Sequence, residues 1–220
     1  MKKEVQPKVE RIQITAPNVK ELQLKIRGTR PLVICAFSEK AREEIRTKQE
    51  KGDTAETAKT KKVKRAAKDF KQQYEDAKHV SEGGWCGIPS IAFLNAMVRA
   101  CLGAGMVMTT TKTALSVVPD GYDKTDGVTG LVKITKGEPK YFEAAVRINH
   151  GTTTDLRARP MWSPGWEAIV KISYDADQLT AQDIAHLMMR AGEFVGICEG
   201  RRSSKQSCGQ DWGAFTVGVE

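Results

Sequence analysis

Histidine, the side chain most often used for proton transfer near neutral pH, is scarce. There are three, His79, His150 and His186, and none sits at a zinc-finger spacing from a cysteine. The five cysteines, Cys35, Cys86, Cys101, Cys198 and Cys208, are odd in number and contain no Cys-x-x-Cys pair, so a complete disulfide framework is excluded and reduced, mostly buried thiols are expected. A nucleophilic cysteine requires a neighbouring base, and no histidine stands in a recognisable protease context; packing is the expected role. No apolar run approaches the length of a membrane span, and "MKKEVQPKVE" has lysines with no apolar stretch behind them, which predicts no membrane partner and a cytoplasmic location, the host cytoplasm for a viral chain. "GAGMVMTTTKT" lacks the Gly-Lys-Ser/Thr end of a phosphate loop, and Asp120, Asp123 and Asp126 in "PDGYDKTDG" are three apart instead of at alternate positions, with no glutamate closing a calcium loop. No catalytic residue, metal or cofactor is therefore assigned, and binding is expected in preference to catalysis.

What is abundant is positive charge. Lys and Arg number 35 against 27 Asp and Glu, a formal net charge of +8, which favours an anionic partner without saying anything about fold. The excess is concentrated in "KTKKVKRAAKDFK", where Lys59, Lys61, Lys62, Lys64, Arg65, Lys68 and Lys71 face a single acid, Asp69. Such a run is either a solvated face or a phosphate-contacting excursion.

"VERIQITAPN" and "KELQLKIRG" alternate apolar and polar residues around Pro17-Asn18 and read as a hairpin ending at Gly28. "PLVICAF" continues the sheet or enters the core as a loop. Residues 38–80 change to charged, helix-forming composition and read as a mainly helical insertion, broken at "KGDT", inside one α/β domain spanning 1–220. "GWCGIPSIAFLNAMVRA" places a Gly-Ile-Pro-Ser break directly before an amphipathic helix with Ile91, Leu94, Met97, Val98 and Leu102 as its apolar stripe, closed by Gly103 and Gly105. Short β-prone pieces follow from Val107, "YFEAAVRIN" being the clearest. "DLRARPMW" and "WEAIVKISYD" are then strands, "TAQDIAHLMMRAGEFVGI" a helix opened by Thr180 and Asp183 with Ile184, Leu187 and Met188 inside, and "WGAFTVGVE" a final strand. Strand, strand, helix, strand is half or more of a ferredoxin-like unit.

Three pieces in this order, an apolar "PLVI" turn after an early strand, "GIPSIAFLNAMVRA", and "GRRSSKQSCGQDWGAFTV", resemble the layout of the RAMP superfamily, the RNA-binding subunits of CRISPR effector complexes. Ile88, Pro89, Ser90 and Arg99 match that family's central helix start, and Gly196, Gly200, Gly209 and Gly213 its late glycine loop; serine follows Pro89 where the family has glycine. The resemblance implies an α+β, ferredoxin-like (RRM-like) antiparallel sheet with helices on one face; the departures, that serine and a glycine loop interrupted by "RRSSKQSC", favour a divergent, virus-encoded member over an ordinary subunit.

Binding of a strand requires cations along a groove and flat side chains for stacking. Arg157, Arg159, Trp162 and Trp166 lie within ten positions on a strand and its turn, and read either as a stacking platform or as tryptophans closing a hairpin on the core while the arginines pair with acids. Arg201, Arg202 and Lys205 suit a phosphate clamp or a soluble loop, and the helix start at Ser90, with its outward N–H groups, suits a phosphate or is a simple structural break. The expectation is a single-stranded nucleic-acid-binding protein, RNA in preference to DNA, that assembles side by side along the strand as a homo-oligomer or a ribonucleoprotein subunit. A virus-encoded interaction protein occupying a host nucleic-acid or effector site is the alternative, and a metal-independent endoribonuclease the second.

Overall fold

The computed structural model describes residues 15–51, 67–148, 153–203 and 210–218. The alternation read from "VKELQLKIRG" gives β1 (Val19–Gly28), which buries Leu24 and Ile26 and turns Lys25 and Arg27 outward. β9 (Glu167–Asp175) lies antiparallel beside it with Val170 opposite Leu24 and Ala168 opposite Ile26, so the apolar positions of both strands share one face. β10 (Phe215–Gly218) pairs with the other edge of β1. Beyond β9 come β4 (Leu115–Val118) and β6 (Gly130–Lys136), and β6 is flanked by β3 (Gly87–Pro89) and β5 (Gly121–Tyr122). The result is a seven-stranded sheet in the order β10-β1-β9-β6-β3. A separate three-stranded sheet places β8 (Thr153–Trp162) between β2 (Leu32–Val33) and β7 (Lys140–Ile148). Every strand pair in both sheets is antiparallel, and with five α-helices among the described residues the fold is mixed α+β.

Two helices seal the buried face of the large sheet. α3 (Ser90–Ala104) contributes Phe93, Ala96, Met97, Ala100 and Cys101; α5 (Ala181–Arg190) contributes Ile184, Leu187 and Met188 to the same core. The stripe expected for α3 is corrected in part: Met97 is buried, but Ile91 and Leu102 are 53% and 61% exposed, because the buried face is centred on Phe93, Ala96, Met97, Ala100 and Cys101. α5 begins as the sequence implies. The Thr180 hydroxyl accepts from Asp183 N–H at 3.1 Å and the Asp183 carboxylate accepts from Thr180 N–H at 3.0 Å, a reciprocal cap. "MTTTKTA" is a short helix, α4 (Met108–Ala114), where β structure was expected. Thr111 and Thr113 donate their hydroxyls to the carbonyls four residues back, which satisfies them inside a helix despite β-branching.

Within the charged stretch, α1 (Glu39–Lys51) is exposed over most of its length, and α2 (Phe70–Asp76) opens on Asp69, whose carboxylate accepts from Lys71 and Gln72 N–H. α2 packs on β8, with Gln73 Oε1 accepting from Ala158 N–H at 2.8 Å and Tyr74 tilted on Tyr141. The end of the stretch therefore helps build the small sheet. Its centre, the first strand of the expected hairpin and the "KGDT" break after Lys51 lie outside the described residues.

The "PDGYDKTDG" turn is organised by its aspartates. Asp126 accepts from the Thr129 and Val128 N–H groups at 2.9 and 3.0 Å, from the Thr129 hydroxyl at 2.7 Å and from Arg42 at 3.2 Å. These bonds, the Thr129 amide foremost, hold the Asp126 carboxyl well below the usual carboxylate range. A carboxyl whose folded value lies below its unfolded one stabilises fully above the unfolded value, about pH 4, and loses that contribution as pH falls through the folded value. Asp126→Asn should lower the urea midpoint at pH 7, and the gap between variant and wild type should close below about pH 4. A constant gap down to pH 2 would show that the turn is held by other means.

Candidate nucleic-acid interface

Three segments that are far apart in sequence, with His79 beside them, line one open cleft of about 600 Å³. The first is the end of the "PLVI" segment, Ile34 and Cys35. The second is the start of α3 with one of its faces: Pro89, then Ile91, Asn95 and Arg99 at successive fourth positions, a stripe about 12 Å long. The third is the loop after α5, from Val195 to Arg201 with Ser203.

The loop is built by close backbone approach. A π-helical turn, Ala191–Val195, ends α5, and Gly196, Gly200 and Gly213 follow with φ of 73°, 71° and 70°. A Cβ on Gly200 would sit 2.2 Å from the Trp212 ring, and one on Gly213 would sit 2.0 Å from the Ile197 carbonyl oxygen. Ile197 N–H donates to Gly213 O at 3.1 Å, Glu199 N–H to Val33 O at 3.0 Å and Gly213 N–H to Pro31 O at 2.8 Å, fastening the loop to itself and to "PLVI". Cys198 also has positive φ, 61°, and burial pushes its thiol up to about 12, which disfavours a nucleophilic thiolate. Cys35, Cys86, Cys101 and Cys198 are free thiols; Cys101 is buried and Cys35 is exposed.

Two arginines face the cleft without a carboxylate partner among the described residues, Arg99 on α3 and Arg201 on the loop, the latter donating to Cys198 O at 2.9 Å. Glu199 is the acid of the lining. It is neutralised by Arg159, whose Nε donates to its Oε2 at 2.8 Å while Nη1 bonds Ala158 O at 3.0 Å. Arg159 is 5% exposed, so its expected phosphate contact is corrected to a buried ion pair that holds the loop.

The tryptophan platform is corrected as well. Trp162 and Trp166 are each 1% exposed, and no base can stack on them. Trp166 fits over Gly28, where a Cβ would lie 1.9 Å from its Nε1, and Nε1 donates to Arg30 O at 3.0 Å. Trp162 pairs opposite Leu32 and joins the main hydrophobic core. Ser90 is the first residue of α3, but its hydroxyl lies against Gly130 and outside the cleft lining.

The other cations of the expected site are distributed elsewhere. Arg157 donates to Asp155 at 3.2 Å, and Lys68 also bonds Asp155, holding that carboxyl below its ordinary range. Arg202 forks onto Asp211 at 3.1 and 2.8 Å outside the cleft, and Lys71 is exposed on α2. Lys59, Lys61, Lys62, Lys64, Arg65 and Lys205 lie outside the described residues, as does Gly209. Sequence reasoning missed Asn95, Glu199 and His79, the last lining the cleft and paired behind it with Asp123; Asn95 is legible through its spacing from Arg99, the others depend on long-range packing.

No protein-family model matches the chain, and no curated protein matches it. No described helix is long and apolar enough to cross a membrane.

Removing one partner of a buried ion pair strands the other, whereas replacing both with apolar groups is close to neutral. Arg159→Met is therefore expected to lower unfolding stability by about 3 kcal/mol, and Arg159→Met with Glu199→Leu to recover most of it. Urea denaturation of the three proteins checks this. A single variant as stable as wild type would remove the pair from its role in holding the loop.

Proposed function

We propose that the protein binds the backbone of single-stranded nucleic acid, RNA in preference to DNA, in the cleft between α3 and the glycine loop. The observation that carries the reading is the convergence of Arg99, Arg201 and the start of α3 on one cleft whose acid, Glu199, is already neutralised. A strand crossing there meets two cations and, at the other end of the same stripe of about 12 Å, the positive end of a fifteen-residue helix dipole. Backbone N–H groups and arginines recognise phosphate in any sequence, so the expected binding is strongly salt-dependent and weakly sequence-dependent.

Two further features support the reading. The central strands run β10-β1-β9 with β4 and β6 beyond, and α3 and α5 on one face, in the chain order strand, helix, strand, strand, helix, strand of a ferredoxin-like unit. The segments that resemble RAMP motifs are also the ones that line the cleft. RAMP membership and assembly along a strand as a homo-oligomer or ribonucleoprotein subunit are part of this proposal. The basic run Lys59–Arg65, next in sequence to α2, is a second phosphate-contacting element in this reading.

Fluorescence anisotropy with a labelled single-stranded oligonucleotide, titrated against salt, tests it. Arg99→Ala and Arg201→Ala should each weaken binding and reduce the slope of log affinity on log salt by about 0.7, the value for one lost phosphate contact on a single strand, with the circular dichroism spectrum unchanged. Unchanged affinity and slope in both variants would overturn the assignment of the cleft.

A further inference from the structure

We infer that His79 reads the ribose 2′-hydroxyl of the bound strand and makes the cleft selective for RNA; this rests on the nucleic-acid reading above. His79 Nδ1 lies 2.5 Å from Asp123 Oδ2, and Asp123 is 2% exposed, its other oxygen accepting from Thr125 N–H at 2.9 Å. A carboxylate only accepts, so the bond fixes the proton of neutral His79 on Nδ1 and leaves Nε2 with a lone pair.

The position of the ring gives that lone pair a use. Asp123 lines a neighbouring crevice of about 240 Å³ and is absent from the cleft lining, whereas His79 lines both. His79 therefore stands between the two cavities; its Nδ1 is engaged by the crevice residue Asp123, and Nε2 is the ring nitrogen left to serve the cleft. Among the described residues Nε2 has no hydrogen-bond partner, and Ser81 Oγ is the only fully buried side-chain atom left unpartnered, so Nε2 retains some exposure on a side chain that is 13% exposed. The His79 backbone is fixed too, its carbonyl accepting from Gly87 N–H at 3.1 Å at the start of β3, two residues before the Pro89 that borders the same cleft.

A strand whose phosphates meet Arg99 and Arg201 presents its sugars to the walls of the cleft, of which His79 is part. A fixed acceptor there bonds a ribose 2′-hydroxyl, a donor that deoxyribose lacks. Because the acceptor is pre-oriented by a buried partner, little ordering is required when the strand arrives.

The test compares oligouridylate, oligodeoxyuridylate and 2′-fluoro-oligouridylate, the last retaining an RNA-like sugar without the donor. Wild type is expected to bind oligouridylate about threefold to tenfold more tightly than either of the others, the worth of one hydrogen bond. His79→Phe, which keeps the ring but removes the acceptor, should bring all three to the same affinity by weakening oligouridylate alone. Equal wild-type affinity for oligouridylate and its 2′-fluoro form overturns the inference without any variant, as does a preference that survives His79→Phe. Selective failure of this kind leaves the nucleic-acid reading standing; failure of all three strands to bind overturns both.

Discussion

Backbone hydrogen bonds between the segment after β1 and the glycine loop set the walls of the cleft. Gly213 N–H on Pro31 O and Glu199 N–H on Val33 O join parts of the chain that are far apart in sequence, and Ile34 N–H on Pro160 O ties the same segment to β8. Bonds of this kind require main chains to meet at about 3 Å with nothing between them. Glycine is needed at 200 and 213 because a Cβ there would penetrate Trp212 or the Ile197 carbonyl, and because both sit at positive φ. Arg201 follows directly from this clamped backbone, so its guanidinium starts from a fixed point and loses less freedom on meeting an anion.

The parts of the fold legible in the sequence are those whose signal is local. Strands β1 and β9 are buried on one face, so their alternation survives in the residues, and α5 announces itself through Thr180 and Asp183. The stripe on α3 is legible only in part: Met97 is buried as its spacing implies, but the buried face turns to Phe93, Ala96, Ala100 and Cys101 and leaves Ile91 and Leu102 outside it, a rotation that no local signal sets. The cleft was legible in pieces: the "PLVI" turn, the helix start and the glycine loop each stand out, although nothing local says that they meet.

Trp162 and Trp166 show where such reading ends. Arginines beside tryptophans on a strand are written the same way whether the rings cover a core or carry bases. What decides is Gly28, which opens the space that Trp166 fills, and Arg30 O, which accepts its N–H across 136 positions. The same holds for Arg159, whose partner Glu199 is 40 residues ahead. Proximity in sequence marked a cationic, aromatic strand; tertiary partners turned it inward.

Positive charge likewise locates nothing until its partners are counted. The excess of Lys and Arg over Asp and Glu is eight, yet Arg42, Lys68, Arg157, Arg159, Lys171 and Arg202 are each engaged by a carboxylate. An engaged cation offers an approaching phosphate little, since its field is already cancelled over a few ångströms and separating the pair costs desolvation. Glu199 is the decisive case. Unpaired, it would cancel one of the two cleft arginines at close range; held by Arg159, it leaves both fields intact while its backbone anchors the loop that carries one of them. A buried ion pair that adds little net stability thereby decides both the shape and the sign of the cleft.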